Sequence, residues 1–136
     1  MLTCMKGSWQ WYRLVPVTLV MGTIFFLSHQ DGSRLELPQI PYIDKAAHFL
    51  LYSLLAGTVL YSFPVYLRQY HPERAGIVTI IFCLGYGITD ELHQSHIPER
   101  VASMSDLIAD LSGAVITVLL WLLVSKRFCL HNRGNS

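Results

Sequence analysis

Residues able to bind ions, ligate metals or move protons fall into three helical stripes in an otherwise apolar sequence. Asp44, Lys45 and His48 stand at i, i+1 and i+4, so Asp44 and His48 share a helix face, and Tyr52 extends that face one turn further. Gly87, Asp90, Glu91 and Gln94 follow i, i+3, i+4, i+7, and Asp106, Asp110 and Gly113 follow i, i+4, i+7. Pro98 blocks helix continuation between the last two stripes, leaving 97–104 as a connector that carries Arg100.

These residue types permit three kinds of chemistry. Glu91 or Asp110 can act as a general base with His48 as its acid/base partner, which makes these three the candidate catalytic residues. Asp90, Glu91, Asp106 and Asp110 can hold a divalent cation such as Mg²⁺, which prefers carboxylate oxygen. Lys45 and Arg100 can grip a phosphate or carboxylate, Arg as a bidentate donor, with Gln30 and Gln94 adding neutral hydrogen bonds. The candidate ligand-binding set is therefore Gln30, Asp44, Lys45, His48, Asp90, Glu91, Gln94, Arg100, Asp106 and Asp110. Structural duties compete for several of them. Asp44 suits the N-cap of its helix, as does Asp106 or Ser105 for the last helix. Asp110 lies inside an apolar block and needs a partner, for which Lys45, His48 and Arg100 are available; the whole set can equally clamp four helix ends together. His29, His93 and His96 are expected at the water interface rather than as ligands, and His71 and His131 in solvent.

The elements that must position these stripes are membrane helices. Hydrophobic residues make up 52% of the 136-residue chain and charged residues 14%, against about 25% charged in soluble domains. The apolar residues come in four blocks, giving helices over about 9–28, 46–66, 75–94 and 106–124 within a single domain, 1–136. Each block supplies close to the ~20 residues needed to cross hydrocarbon, where only helices satisfy the backbone internally. Trp9, Trp11 and Tyr12 at one end of the first block and Trp121 near the end of the fourth stand at interfacial depths. The first block has a basic leader but no small-residue cleavage site, so it is expected to be a retained helix rather than a signal peptide. Cys4, Cys83 and Cys129 match no metal spacing or disulfide framework.

Charge predicts the orientation. Lys6, Arg13, Arg68, Arg74, Lys126, Arg127 and Arg133 share one side with a single acid, Glu73. The other side holds Arg34, Lys45 and Arg100 with eight acids: Asp31, Glu36, Asp44, Asp90, Glu91, Glu99, Asp106 and Asp110. Basic loops stay cytoplasmic, so both termini are expected inside and the three stripes at the outward face. The overall balance, 10 Lys+Arg against 9 Asp+Glu, excludes a nucleic-acid binder driven by basicity. A transporter is disfavoured, because four helices without an inverted repeat do not enclose a pathway. The sequence contains no nucleophile elbow, P-loop or HExxH.

Ser28 and Gln30, then Asp44, Lys45, His48, Phe49 and Tyr52, then Asp90, Glu91 and Gln94, Pro98 and Arg100, and finally Asp106, Ala109, Asp110 and Gly113 resemble the pattern of the VanZ-like family. The resemblance runs over residues 28–114 and implies a small multi-spanning protein of the bacterial cytoplasmic membrane. It further implies a contribution to glycopeptide (teicoplanin) resistance. The expected partners are membrane lipids and a polyprenyl-phosphate-linked envelope precursor. Two activities follow as alternatives: binding, or altering access to, a lipid-linked envelope component, or an intramembrane metal- or acid/base-dependent enzyme acting on a lipid-linked headgroup.

Overall fold

The computed structural model describes residues 10–30, 42–98, 100 and 102–134, with side chains described as far as Ser125. Trp9, Cys4, Cys129, His131, Lys6, Asp31, Arg34, Glu36, Glu99, Lys126, Arg127 and Arg133, on which parts of the sequence reading rest, lie outside the described backbone or side chains. A single 3₁₀ turn, Trp11–Arg13, leads into α1 (Leu14–Ser28); α2 (Ile43–Ser62), α3 (Val65–Tyr70), α4 (Pro72–Gln94) and α5 (Met104–Gly134) follow. Four of these are long and apolar enough to cross a membrane, over Trp11–Ser28, Ile43–Ser62, Pro72–Gln94 and Met104–Ser125. The described residues contain no strand.

Proline sets the break between α2 and α4. Phe63 adopts extended backbone (φ −66°, ψ 147°), as the residue before a proline must, and Pro64 then starts the short α3. Pro72 opens α4 at its first turn, where the missing N–H costs nothing. The segment between the second and third spans thus contains a helix of its own. α2 opens earlier than the apolar block suggests, at Ile43, so Asp44 and Lys45 lie in its first turn. The N-cap residue is Tyr42, left-handed at φ 67°, with no side-chain cap. Asp44 is therefore not the cap, and its acid instead faces the positive end of the helix dipole. At α5 the Ser103 carbonyl accepts the N–H groups of Asp106 and Leu107, so neither Asp106 nor Ser105 stands at the cap.

Packing is closest between α2 and α5. Gly113 permits it: a Cβ there would collide with the Phe49 carbonyl oxygen and lie 2.9 Å from Ser53 Oγ. Small residues allow such approach between membrane helices, where van der Waals contact rather than water exclusion drives association. Thr117 Oγ1 donates across the same seam to the Ser53 carbonyl at 3.3 Å. Tyr52, Leu55, Ala56, Val59, Cys83 and Ala114 form the main core with Val17 and Ile24 of α1. Leu60, Ala75 and Val118 form a second, smaller cluster. Tyr86 Oη ties α4 to α1 through the Met21 carbonyl at 2.7 Å. Leu19, Phe26, Leu50, Ile81, Ile108 and Leu123 are exposed around the bundle, a belt suited to lipid and intolerable in water.

The alternating helix directions collect charge at two ends. One end, here the basic end, holds Arg13 and Arg68 against the Tyr61 ring, with guanidinium carbons 5.3 and 5.9 Å from its centroid. Burial, and then the nearby Arg13, lower the Arg68 pKa from its ordinary value. The other, acidic end gathers the C-terminal turns of α1 and α4 and the N-terminal turns of α2 and α5, bringing the three polar stripes together.

Candidate functional site at the acidic end

Three helices each contribute one side chain to the centre of the acidic end: His48 from α2, Glu91 from α4 and Asp110 from α5. Each offers a ligand atom, and the three atoms lie within 4.8 Å of one another. Helix spacing explains the convergence. His48 is one turn into α2, Glu91 one turn before the end of α4, and Asp110 six residues into α5, about 9 Å along its axis. His48 Nδ1 lies 3.0 Å from Asp110 Oδ1; with Asp110 ionised, Nδ1 donates this bond and Nε2 remains available. Glu91 Oε2 accepts the Ser103 backbone N–H at 2.6 Å, which fixes the connector to α4.

Three buried polar atoms of this centre have no hydrogen-bond partner: Glu91 Oε1, Asp110 Oδ2 and Tyr52 Oη. Tyr52 is fully buried and Asp110 is 1% exposed. An orphaned buried polar group costs about 1–3 kcal/mol, and more when charged, so three in one place mark a polar centre that its own side chains do not complete. Gly87 forms one wall. A Cβ there would lie 3.2 Å from Asp110 Oδ2 and 3.5 Å from Tyr52 Cε1.

A second layer lies nearer the helix ends. Lys45 Nζ bridges Asp44 Oδ2 and Asp106 Oδ1, each at 3.0 Å. Exposure falls inward along this series, with the side chains of Asp44 at 52%, Lys45 at 31%, His48 at 14% and Asp110 at 1%. Lys45 thereby compensates Asp44 and Asp106, while Glu91 and Asp110 have no lysine or arginine partner among the described residues.

The remaining sequence-derived candidates take other partners. Gln94 Nε2 donates to Asp90 Oδ2 and to Ser28 Oγ, each at 3.1 Å, joining α4 to α1. Gln30 Nε2 folds back onto the Phe26 carbonyl of its own helix. Arg100 turns away from the acids: its Nε and Nη2 donate to the Gln30 and Leu27 carbonyls at the end of α1. Of the partners available to Asp110, then, His48 takes the role, and Lys45 and Arg100 do not. Of the four carboxylates considered for a cation, Glu91 and Asp110 converge with His48, whereas Asp90 and Asp106 are taken up by Gln94 and Lys45. His29 is exposed and His93 half-buried, and they stack, with Nδ1 and Nε2 at 3.3 Å and Phe25 against the His93 ring.

Tyr52 and Gly87 were legible only as members of stripes. The signal for Tyr52 was its i+4 relation to His48; that its hydroxyl would be buried without a partner is a property of the packing.

A family model described as VanZ/LLP1 matches residues 3–125. An uncharacterized protein of Schizosaccharomyces pombe is 32% identical over 112 residues, which is 82% of this chain and 65% of that protein. The chain thus spans 65% of the length of this relative. No solved structure matches the chain.

Proposed function

Because the chain belongs to the VanZ/LLP1 family, we propose that it is a multi-pass protein whose acidic end engages the polar headgroup of a membrane lipid or lipid-linked envelope component. The observation that carries this reading is the set of unpartnered buried oxygens, Glu91 Oε1, Asp110 Oδ2 and Tyr52 Oη, gathered from three helices inside the membrane-spanning segments. Ionisable residues at such depth are costly and mark functional sites. The falling exposure from Asp44 to Asp110 supplies a polar route inward from the interface. With two uncompensated carboxylates at its centre, the site takes a headgroup that brings positive charge or shares a cation with it.

The proposed orientation, from the charge split, places the acidic end outward and both termini in the cytoplasm of a bacterial inner membrane. There the bound component would be an envelope lipid, and contribution to glycopeptide (teicoplanin) resistance its consequence. A relative in a yeast favours a headgroup chemistry common to bacteria and eukaryotes, such as a lipid phosphate on a phospholipid or polyprenyl chain. A second reading is an intramembrane enzyme. It is favoured by the 3.0 Å His48–Asp110 pair with Glu91 close by, the arrangement a general acid/base pair requires.

Purification in native-lipid particles with mass spectrometry of retained lipid tests the binding reading. The expected result is about one phosphate-bearing lipid per chain, lost in Glu91→Gln and Asp110→Asn at normal abundance, together with any glycopeptide phenotype. Equal lipid retention by folded wild type and both variants would overturn it. Conversion of the retained lipid on incubation, abolished by His48→Gln, would favour the enzyme.

A further inference from the structure

The acidic end contains more negative charge than its own residues neutralise, and its geometry defines where the compensation belongs. Lys45 satisfies Asp44 and Asp106. Asp90 is held by the neutral Gln94 amide. Glu91 and Asp110 remain, two carboxylates beside one imidazole, buried among the helices. As ionised groups they sum to −2 with a neutral histidine. Protonating the imidazole leaves −1; a further proton on one carboxyl, or one divalent cation in place of both protons, makes the set neutral, as a low-dielectric interior favours.

Donor type and geometry agree with that arithmetic. One imidazole nitrogen and two carboxylate oxygens, within 4.8 Å of one another, can close on a common ion from three different helices. Metal bonds of about 2.0–2.2 Å place neighbouring ligand atoms about 3 Å apart, a contraction within reach of side-chain rotation. Each carboxylate keeps an oxygen without a hydrogen-bond partner, Glu91 Oε1 and Asp110 Oδ2, and these residues are 7% and 1% exposed. The other oxygen of Glu91 is already held by the Ser103 N–H, the outer support that orients a ligating carboxylate, and His48 Nδ1, 3.0 Å from Asp110 Oδ1, would exchange that contact for the ion. The missing Cβ at Gly87 lets Asp110 Oδ2 sit against the α4 backbone, where a Cβ would lie 3.2 Å from it.

We infer that His48, Glu91 and Asp110 form a binding site for a first-row divalent cation. The imidazole nitrogen selects Zn²⁺, Mn²⁺ or Co²⁺ over Mg²⁺, and three protein ligands leave open coordination positions. The inference about the ion stands on these three side chains alone. Its second part rests on the headgroup reading above: the open positions accept phosphate oxygen from the lipid, which reconciles an acidic centre with an anionic headgroup.

The test uses the full-length protein in lipid nanodiscs, stripped with chelator and titrated with Co²⁺, Zn²⁺ or Mn²⁺ alone. Visible Co²⁺ absorption and elemental analysis after desalting give the stoichiometry, and circular dichroism verifies that each variant is helical. About one ion per chain is expected, with affinity more than about 100-fold weaker in Glu91→Gln and in Asp110→Asn. Glu73→Gln, which alters an exposed acid in the first turn of α4 at the opposite end of the bundle, should bind as wild type does. Folded wild-type protein that takes up none of the three ions overturns the site, as does uptake unchanged by both ligand variants. Lipid retained equally before and after chelation overturns the bridging role and leaves the headgroup reading standing. Metal bound without retained lipid leaves the metal site standing and removes the headgroup reading.

Discussion

Alanine replacement of three helical glycines separates scaffold from site. Nothing lies within 4 Å of a Cβ built at Gly57, so Gly57→Ala collects the helix-propensity gain of about 0.8–1 kcal/mol and stabilises the protein. Gly113→Ala receives the same gain but drives its methyl into the Phe49 carbonyl and to 2.9 Å from Ser53 Oγ. A helix backbone cannot rotate out of the way, so α2 and α5 must separate, stretching the Thr117–Ser53 hydrogen bond that already spans 3.3 Å. Overpacking costs about 1–3 kcal/mol, and a clash with backbone belongs at the top of that range. Net of propensity, Gly113→Ala should lose about 2 kcal/mol. Gly87→Ala lies between them. Its methyl meets the Leu107 side chain at 3.0 Å, which can yield, and Asp110 Oδ2 at 3.2 Å, which cannot move without leaving His48. Its stability should stay within about 1 kcal/mol of wild type while the space beside Asp110 is filled. The assay is thermal unfolding in nanodiscs, followed by tryptophan fluorescence, with Co²⁺ titration of each variant. The expected order of unfolding temperature is Gly57→Ala, then Gly87→Ala with wild type, then Gly113→Ala, and only Gly87→Ala should weaken Co²⁺ binding at normal stability. A Gly113→Ala protein as stable as Gly57→Ala would refute the close α2–α5 contact. Wild-type Co²⁺ affinity in Gly87→Ala would refute the wall assigned to Gly87.

Other perturbations test the outer layer and the ends. Asp44→Ala removes an exposed ion pair and should cost no more than about 1 kcal/mol in the same unfolding assay, since surface pairs contribute little. Arg100→Ala releases the Leu27 and Gln30 carbonyls and should lower stability by about 1–3 kcal/mol while leaving Co²⁺ affinity unchanged. At the basic end, Arg13 and Arg68 both lie against Tyr61 and repel, and Arg13 Nη1 and Arg68 Nε have no hydrogen-bond partner. Anionic lipid should therefore raise the unfolding temperature relative to zwitterionic lipid, by an amount equivalent to about 1 kcal/mol per basic residue, and Arg68→Gln should reduce that gain. In a cysteine-free background, an impermeant thiol reagent applied to intact cells should label Ser103→Cys and not Ser136→Cys; the reverse pattern would invert the orientation.

Composition and block hydropathy were enough to specify four membrane helices, because the cost of exposing backbone in hydrocarbon leaves a 20-residue apolar block almost no other structure. The stripes were also legible, since helical periodicity alone places Asp90 with Glu91 and Gln94, and Asp106 with Asp110, on common faces. Periodicity does not fix how far each helix is rotated about its own axis or how far it slides along its neighbour, and those two quantities decided the partners. They are set by the α2–α5 approach at Gly113, which aligns His48 with Asp110 and Lys45 with Asp106. Arg100, on the connector between α4 and α5, goes to the carbonyls of α1 rather than to the acids. The helix starts were likewise decided by local backbone: Tyr42 at φ 67° and the Ser103 carbonyl replace the acidic caps that residue preference suggested. Tertiary packing alone determined that Glu91 Oε1, Asp110 Oδ2 and Tyr52 Oη would each be buried without a partner. Whether a buried polar atom finds a partner depends on atoms from other helices, and no pattern along one helix contains that information.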